Sequence, residues 1–419
     1  MNLTIKPSAV SGSITAPSSK SMTHRALVLA ALAPGRSRIR SPLKAEDTEA
    51  TASVLKKLGV GIIRGNDWVV DGGNMQTPAK VLHCGESGTT LRFMSAVCSL
   101  VDGECQMTAE PSLMSRPLTP LLDALRQLGV PIEARGGPTP IKILGTGRIR
   151  GGEARLPGDV SSQFISALLI VAPLADTRVD ITLTTMLESR PYVAMTMDAM
   201  RVFGVEAEVS PDMMRMTAPL NPYTATTFTV EGDWSSASYA LAAGAIAGEV
   251  TVNGLNPFSS QADKALLPLL VEMGAETSIN GDAVKVSASG LQGIEADLSD
   301  CPDLFPVVCA LCAAAEGRSR LTGLSRLRLK ESDRIAAMAR GITRMGAEIR
   351  CGVDSVTITG GPLRGAEIDP WGDHRIAMSL AVLALNAEGE TTIRNAGCVS
   401  KSYPDFWDDL KSIGGRLRR

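Results

Sequence analysis

The sequence predicts an α/β protein of two lobes, each holding three copies of one unit of roughly 70 residues. Two interleaved phrases and a truncation predict it. The first phrase is an amphipathic helix, an apolar residue, a glycine and then a strand. It reads VLKKLGVGI, ALRQLGVPI, AMRVFGVEA, LLVEMGAET, GITRMGAEI and LKSIGGRLR. Its glycines, Gly59, Gly129, Gly204, Gly274, Gly346 and Gly414, follow one another at 70, 75, 70, 72 and 68 residues. One such glycine is only a helix C-cap, but six in near-constant phase mark a repeat.

The second phrase is an apolar helix, a turn and a short strand: PGRSRIRSPL, DGECQMTA, ADTRVDITL, GEVTVNGL, GRSRLTGL and GETTIRNAG. Each unit therefore reads as helix A, strand, helix B and two or three further strands. Helix A is expected to start near residues 22, 89, 163, 236, 304 and 375, and helix B precedes each glycine. After Gly414 too few residues remain for the last unit's strands, while MNLTIKPSAV is a strand without a unit. The N-terminal strand is thus expected to complete the sixth unit. The N-terminal lobe is expected at residues 16–228, and the C-terminal lobe at 1–15 plus 229–419. Two chain crossings between lobes suit a hinge.

The composition bounds the chemistry. The chain is 419 residues long, 44% hydrophobic and 21% charged, as in ordinary globular proteins, and only 4% aromatic. A core of small aliphatic side chains follows. Net charge is -2, so no basic field favours nucleic acid, and any anion must be held by locally placed cations. No basic-then-apolar leader or membrane-length apolar run stands out, so a soluble cytoplasmic protein is expected. Cys309 and Cys312 have CxxC spacing but no second pair and no nearby His. They read as buried thiols, and no metal is expected.

The starts of the six A helices are the chemically dense positions: PSSKSMTHR, GESGTTLR, GDVSSQF, GDWSSAS, CPDLFP and GDHRIAM. Ser, Thr, Asp and Gly there are good N-caps, and capping is the preferred reading of GDWSSAS. Helix N-termini also bind phosphate and carboxylate. Cations gather at the same places: Lys20, Arg25, Arg92, Arg116, Arg190, Lys330, Arg334, His374, Arg375 and Lys401. Guanidinium forks and ammonium charges at this density call for small polyanionic ligands. In LRLKESDRIAAM, Lys330 and Arg334 are expected to share a face at the start of helix B, with Glu331 beside them. On capping statistics alone, Glu331 and Asp333 complement the helix dipole, Asp303 is an N-cap and His374 a core histidine. No GxSxG, HExxH, Walker A or dinucleotide motif is present, which argues against hydrolase, metal and nucleotide-cofactor chemistry.

Seven segments together resemble the 3-phosphoshikimate 1-carboxyvinyltransferase (EPSP synthase) family. They are Pro17-Ser18-Ser19-Lys20-Ser21 with Arg25, Ser87-Gly88-Thr89-Thr90-Leu91-Arg92, Ser161-Ser162-Gln163-Phe164 and Ser189-Arg190-Pro191-Tyr192. Lys330-Glu331-Ser332-Asp333-Arg334, Gly372-Asp373-His374-Arg375 and Lys401-Ser402-Tyr403-Pro404-Asp405-Phe406 complete the set. The resemblance implies two lobes of three βαβαββ units, helices inside and sheets outside. It implies transfer of the enolpyruvyl group of phosphoenolpyruvate to the 5-hydroxyl of shikimate 3-phosphate, without a cofactor, by a protein expected to be monomeric.

By the same resemblance, Lys20, Ser21, Arg25, Ser161, Ser162, Gln163, Ser189, Asp303 and Lys330 contact shikimate 3-phosphate. Lys20, Gly88, Arg116, Gln163, Arg334, Arg375 and Lys401 bind phosphoenolpyruvate. Asp303 serves as base near the 5-hydroxyl, and Glu331, with Lys20, handles the proton at the enolpyruvyl methylene. The sequence departs from the family pattern at Glu86, where Asn is common, and at Arg326, near a common Asn. The related UDP-N-acetylglucosamine enolpyruvyl transferases carry a cysteine in the loop that here reads Ala109 to Pro117 without one. A non-enzymatic DNA clamp would need a basic inner face, which the charge balance opposes.

Overall fold

A residue in left-handed conformation stops a helix without steric cost only if it is glycine. All six phased glycines take that conformation, with φ from 85° to 105°. In the computed structural model, which describes residues 1–134 and 140–418, each one ends a helix B. Those helices are Glu46–Lys57, Thr119–Gln127, Arg190–Val202, Leu266–Glu272, Arg334–Arg344 and Phe406–Ser412. The A helices are Lys20–Leu32, Gly88–Val97, Ser162–Val171, Trp234–Ala247, Phe305–Ala314 and His374–Ala384. No helix among the described residues is long and apolar enough to cross a membrane.

The two helix sets differ in burial as they differ in sequence. Every residue of Lys20–Leu32 from Met22 onward is buried, and Phe305–Ala314 is buried from Phe305 to Ala313. Helix B of the second repeat, by contrast, buries only Leu121, Leu122, Ala124 and Leu125. A helix apolar all round belongs inside, and a one-sided helix flanks it. In one lobe Trp234–Ala247, Phe305–Ala314 and His374–Ala384 pack on one another; in the other Gly88–Val97 lies along Ser162–Val171. Alanine-rich faces such as YALAAGAIA let these axes approach closely. Cys309 and Cys312 lie in this interior as free thiols, pushed up by burial, Cys312 to about 12.

Among the described residues, six four-stranded sheets cover the helices, all with one strand order. In each, a parallel pair at one edge continues into two antiparallel neighbours. Alternating burial, as in Val179–Leu183, gives each sheet one inward and one outward face.

The N-terminal segment holds two strands where one was expected. Leu3–Lys6 pairs with Thr391–Ile393 and Arg416–Arg418 and completes the sixth sheet. Val10–Thr15 runs parallel to Gly248–Asn253 in the fourth. Thr227–Thr229, although it leads into the fourth A helix, pairs with Gly35–Arg40 in the first sheet. The leading strands of the first and fourth repeats are thus exchanged. The first lobe accordingly spans Ser18–Val230 and the second Met1–Pro17 with Glu231–Arg419. Those breaks fall two residues beyond the boundaries expected from the sequence, because Val230 still donates its N–H to the Arg40 carbonyl.

A recurring glycine fixes how closely sheet and helix meet. A methyl at Gly72, Gly145 or Gly360 would run into carbonyl oxygens at the end of its own repeat's helix A, those of Ala30, Val101 and Ala315 respectively. Gly361, next in the chain, faces open space. We expect Gly360→Ala to lower unfolding free energy by about 2 kcal/mol or more. Gly361→Ala should stay within about 0.5 kcal/mol of the parent. Urea unfolding of the two variants decides it, and equal effects would contradict the packing described.

Candidate active site

In the first lobe the polar groups gather where helices begin. Ser19 caps Lys20–Leu32 by accepting from the Met22 N–H, Ser87 caps Gly88–Val97 through Thr90, and Ser161 caps Ser162–Val171 through Gln163. Lys20 therefore occupies a first-turn position, where the helix dipole opposes a cation. Its ammonium donates to the Asp47 carboxylate at 2.8 Å, and both side chains are 14% exposed. A charge placed against the dipole and held by a dedicated acid is poorly explained by stability alone.

Arg25 is 2% exposed. It donates to Thr196 Oγ1 at 2.8 Å, to the Ser21 carbonyl at 2.9 Å and to the Tyr192 carbonyl at 2.8 Å, and it lies over the Phe93 ring. None of these partners is a carboxylate, and burial lowers the guanidinium to about 10. The Tyr192 bond ties Arg25 to helix Arg190–Val202, whose cap Ser189 is buried and held in left-handed conformation at φ 56°. A non-glycine residue there stores on the order of 1–3 kcal/mol.

Gly88, Arg92, Arg116 and Gln163 form a second group in the same lobe. Arg92 donates to Gln163 Oε1 at 2.6 Å, while Gln163 Nε2 donates to Thr89 Oγ1 at 3.0 Å. A methyl on Gly88 would come within 2.7 Å of one Arg92 nitrogen and 3.5 Å of one Arg116 nitrogen. The bare Gly88 backbone thus leaves both guanidinium groups room at a helix N-terminus. Ser162 is buried at the first position of helix Ser162–Val171. Glu86 accepts from Ser112 Oγ at 3.1 Å.

The second lobe holds a denser charge cluster. Arg334, 1% exposed, donates to three carboxylates: Asp373 at 2.9 Å, Asp303 at 2.8 Å and Glu331 at 2.6 Å. The other Asp303 oxygen accepts from Arg375 at 2.8 Å, and the Lys330 ammonium is 3.8 Å from Asp303. Burial pushes the Asp303 carboxyl up, but Arg375, Lys330 and Arg334 outweigh it and hold the group far below the usual range. Burial lowers Lys330 to about 8 against the pull of Asp303. Lys401 donates to the Gly372 carbonyl at 2.9 Å, in the turn that opens helix His374–Ala384. Arg326 donates to the Ser299 carbonyl at 2.7 Å.

Three expectations need correction. Asp303 is no N-cap: it lies inside the 3-10 turn Pro302–Leu304, with its carboxylate turned to the arginines. Lys330 and Arg334 do not share a helix face, because Asp333 is the cap and the helix starts only at Arg334. Lys330 and Glu331 stand in the preceding turn, and Glu331 pairs with Arg334 rather than with the helix dipole. The capping reading of GDWSSAS is incomplete as well. Asp233 does cap Trp234–Ala247, but Ser235 Oγ accepts from Arg375 at 2.5 Å. Sequence reasoning also passed over Asp47 and Asp373. Asp47 sits among Glu46 and Glu49 in an acidic first turn, so its pairing with Lys20 has no local signature.

Residues 5–410 match the family model described as EPSP synthase (3-phosphoshikimate 1-carboxyvinyltransferase). A 3-phosphoshikimate 1-carboxyvinyltransferase of Dehalococcoides mccartyi is 45% identical, over 100% of this chain and 99% of its own. One from Methanocorpusculum labreanum is 43% identical, over 100% of both chains. Among solved structures, EPSP synthase from Acinetobacter baumannii superposes with a TM-score of 0.84 at 28% identity, covering 100% of both chains.

Removing the guanidinium from the three-carboxylate cluster leaves buried like charges facing each other. We expect Arg334→Met to cost about 3–5 kcal/mol of stability near neutral pH. In the variant the carboxyl pKa values rise, so the folded form gains protons. The deficit should then shrink as pH falls toward about 5. Urea unfolding at several pH values measures this, and a deficit independent of pH would rule out the charge explanation.

Proposed function

This chain belongs to the EPSP synthase (3-phosphoshikimate 1-carboxyvinyltransferase) family, and on that premise we propose how its residues divide the work of the reaction. The enolpyruvyl group of phosphoenolpyruvate passes to the 5-hydroxyl of shikimate 3-phosphate, and phosphate is released. The hydroxyl oxygen bonds to C2 of phosphoenolpyruvate as C3 gains a proton. C3 then loses a proton as the C2–O bond to phosphate breaks.

Lys20, Ser21, Arg25, Ser161, Ser162, Gln163 and Ser189 of the first lobe, with Asp303 and Lys330 of the second, hold shikimate 3-phosphate. Buried Arg25, whose partners are all neutral, suits an anionic substituent. Lys20, Gly88, Arg116 and Gln163, with Arg334, Arg375 and Lys401, hold phosphoenolpyruvate. Asp303 takes the hydroxyl proton. Glu331, with Lys20, gives and recovers the proton at C3. Fixed cations stabilise charge that develops on the tetrahedral intermediate.

The observation that carries these roles is the Asp303 carboxylate, gripped by Arg375 and Arg334 with Lys330 nearby. So gripped, it is a poor base. Substrate carboxylate and phosphate arriving on those cations weaken their field at Asp303 and raise its basicity where the hydroxyl must be deprotonated. The same reading makes the protein a cytoplasmic monomer that needs no cofactor.

Mixing the folded protein with shikimate 3-phosphate and phosphoenolpyruvate should release phosphate; silence would refute the activity. Lys20→Met and Glu331→Gln should each lower kcat on the order of 100-fold or more. Thermal unfolding should barely move in either variant, and loss of folding instead would mark these side chains as structural. Arg375→Lys, which loses the planar fork, should raise KM for phosphoenolpyruvate.

A further inference from the structure

His24 is a buried imidazole that none of these roles uses. It lies one turn beyond Lys20 on helix Lys20–Leu32. Its Nδ1 is 2.8 Å from Thr51 Oγ1, and Thr51 Oγ1 is 2.6 Å from Thr90 Oγ1. Thr90 Oγ1 donates to Ser87 Oγ at 2.7 Å and stands 3.4 Å from the Asp47 carbonyl. A chain of buried side chains, His24, Thr51, Thr90 and Ser87, thus joins the helices Lys20–Leu32, Glu46–Lys57 and Gly88–Val97.

The chain has one polarity. Burial, and then the Lys20 and Arg25 charges, hold the imidazole well below its usual range, so the ring is neutral and carries a single N–H. Nε2 is buried and makes no hydrogen bond. A proton there would lack an acceptor, and a buried donor left unpaired is costly. The proton is therefore assigned to Nδ1, which donates to Thr51. Thr51 then donates to Thr90, and Thr90 to Ser87, the cap of Gly88–Val97.

Lys20–Asp47 and His24–Thr51 are rungs between the same two helices. Each spans 27 residues, and they lie one turn apart on both helices. They differ in stiffness. A lysine stem is long and flexible and follows its partner, whereas an imidazole and a β-branched threonine have few rotamers. The stiff rung fixes where Asp47 lies, and Asp47 fixes where the ammonium lies. We propose that His24, hydrogen-bonded to Thr51, is a positioning residue for Lys20: it holds helix Glu46–Lys57 in the register that brings the Asp47 carboxylate to the Lys20 ammonium. This rests on the reading that Lys20 binds both substrates and shares in proton transfer at C3. Neutral buried hydrogen bonds add little net stability, but a satisfied network specifies one arrangement of the groups it joins.

The test is kcat beside thermal unfolding in the parent, His24→Asn, His24→Leu and Thr51→Val. Asn puts an amide N–H where Nδ1 stands but leaves a void beyond it; Leu fills the space but has no donor. His24→Leu should therefore unfold no earlier than His24→Asn. Its kcat should nevertheless fall about tenfold, while that of His24→Asn stays within about twofold of the parent. Equal activity in the pair, or activity that follows stability, overturns the proposal. Thr51→Val cuts the chain one link further on and should also lose about tenfold. Should either His24 variant fail to fold, an unchanged kcat in folded Thr51→Val overturns the proposal instead. In a Lys20→Met background there is no ammonium to position, so His24→Leu should cost less than about twofold. A full further loss there means that His24 acts elsewhere and overturns the proposal too. An inactive parent, or a Lys20→Met variant with undiminished kcat, takes down the reading of Lys20 and this inference together. Activity that follows stability in an active enzyme counts against His24 alone.

Discussion

Six helices buried on nearly every side impose the constraint from which the rest follows. A helix start removed from water leaves backbone N–H groups that must find acceptors. Ser19, Ser87, Ser161, Asp233 and Asp373 supply them for five of the six A helices. Burial thus forces small polar residues to the ends where partial positive charge collects. The caps are required by the fold. The fifth A helix departs from this pattern. It enters through a 3-10 turn without a side-chain cap, and the acid in that turn, Asp303, is left to face Arg334 and Arg375.

The two lobes solve different electrostatic problems with the same frame. In the first, Arg25 is buried among neutral acceptors. In the second, Arg334 and Arg375 are already met by carboxylates, and Asp303 stands between them. Buried ion clusters are weak contributors to stability, because desolvation consumes much of the Coulomb gain. A cluster of one nearly inaccessible arginine and three acids is therefore poorly explained by stability alone.

The phase of the glycines made the repeat legible, since a left-handed helix stop has a strong local signature and six in register leave little freedom. The A-helix starts were legible for the same reason, because caps are local. The exchange of Val10–Thr15 and Thr227–Thr229 between sheets was not, since a strand's own residues do not say which partner it pairs with. Asp47 was hidden among other first-turn acids, and its partner lies 27 residues away in sequence. The roles of Lys330, Glu331 and Arg334 came from motif resemblance. Their spacing was misread as one helix face because Asp333, also a good cap, begins the helix later than the apolar pattern suggests.

The fourth repeat shows how a copy without apparent chemistry stays useful. Its helix start, GDWSSAS, reads as pure capping, and Asp233 does cap it. The next residue but one, Ser235, nevertheless carries an edge of Arg375, which belongs to the sixth repeat. In this lobe the three A helices pack on one another, so a residue at the start of one can reach a side chain at the start of the next. Divergence can then divide labour: one copy contributes the guanidinium, another the carboxylate, and a third the hydroxyl that keeps the first in place. A short polar side chain in the fourth repeat thus holds one edge of a guanidinium that the sixth contributes.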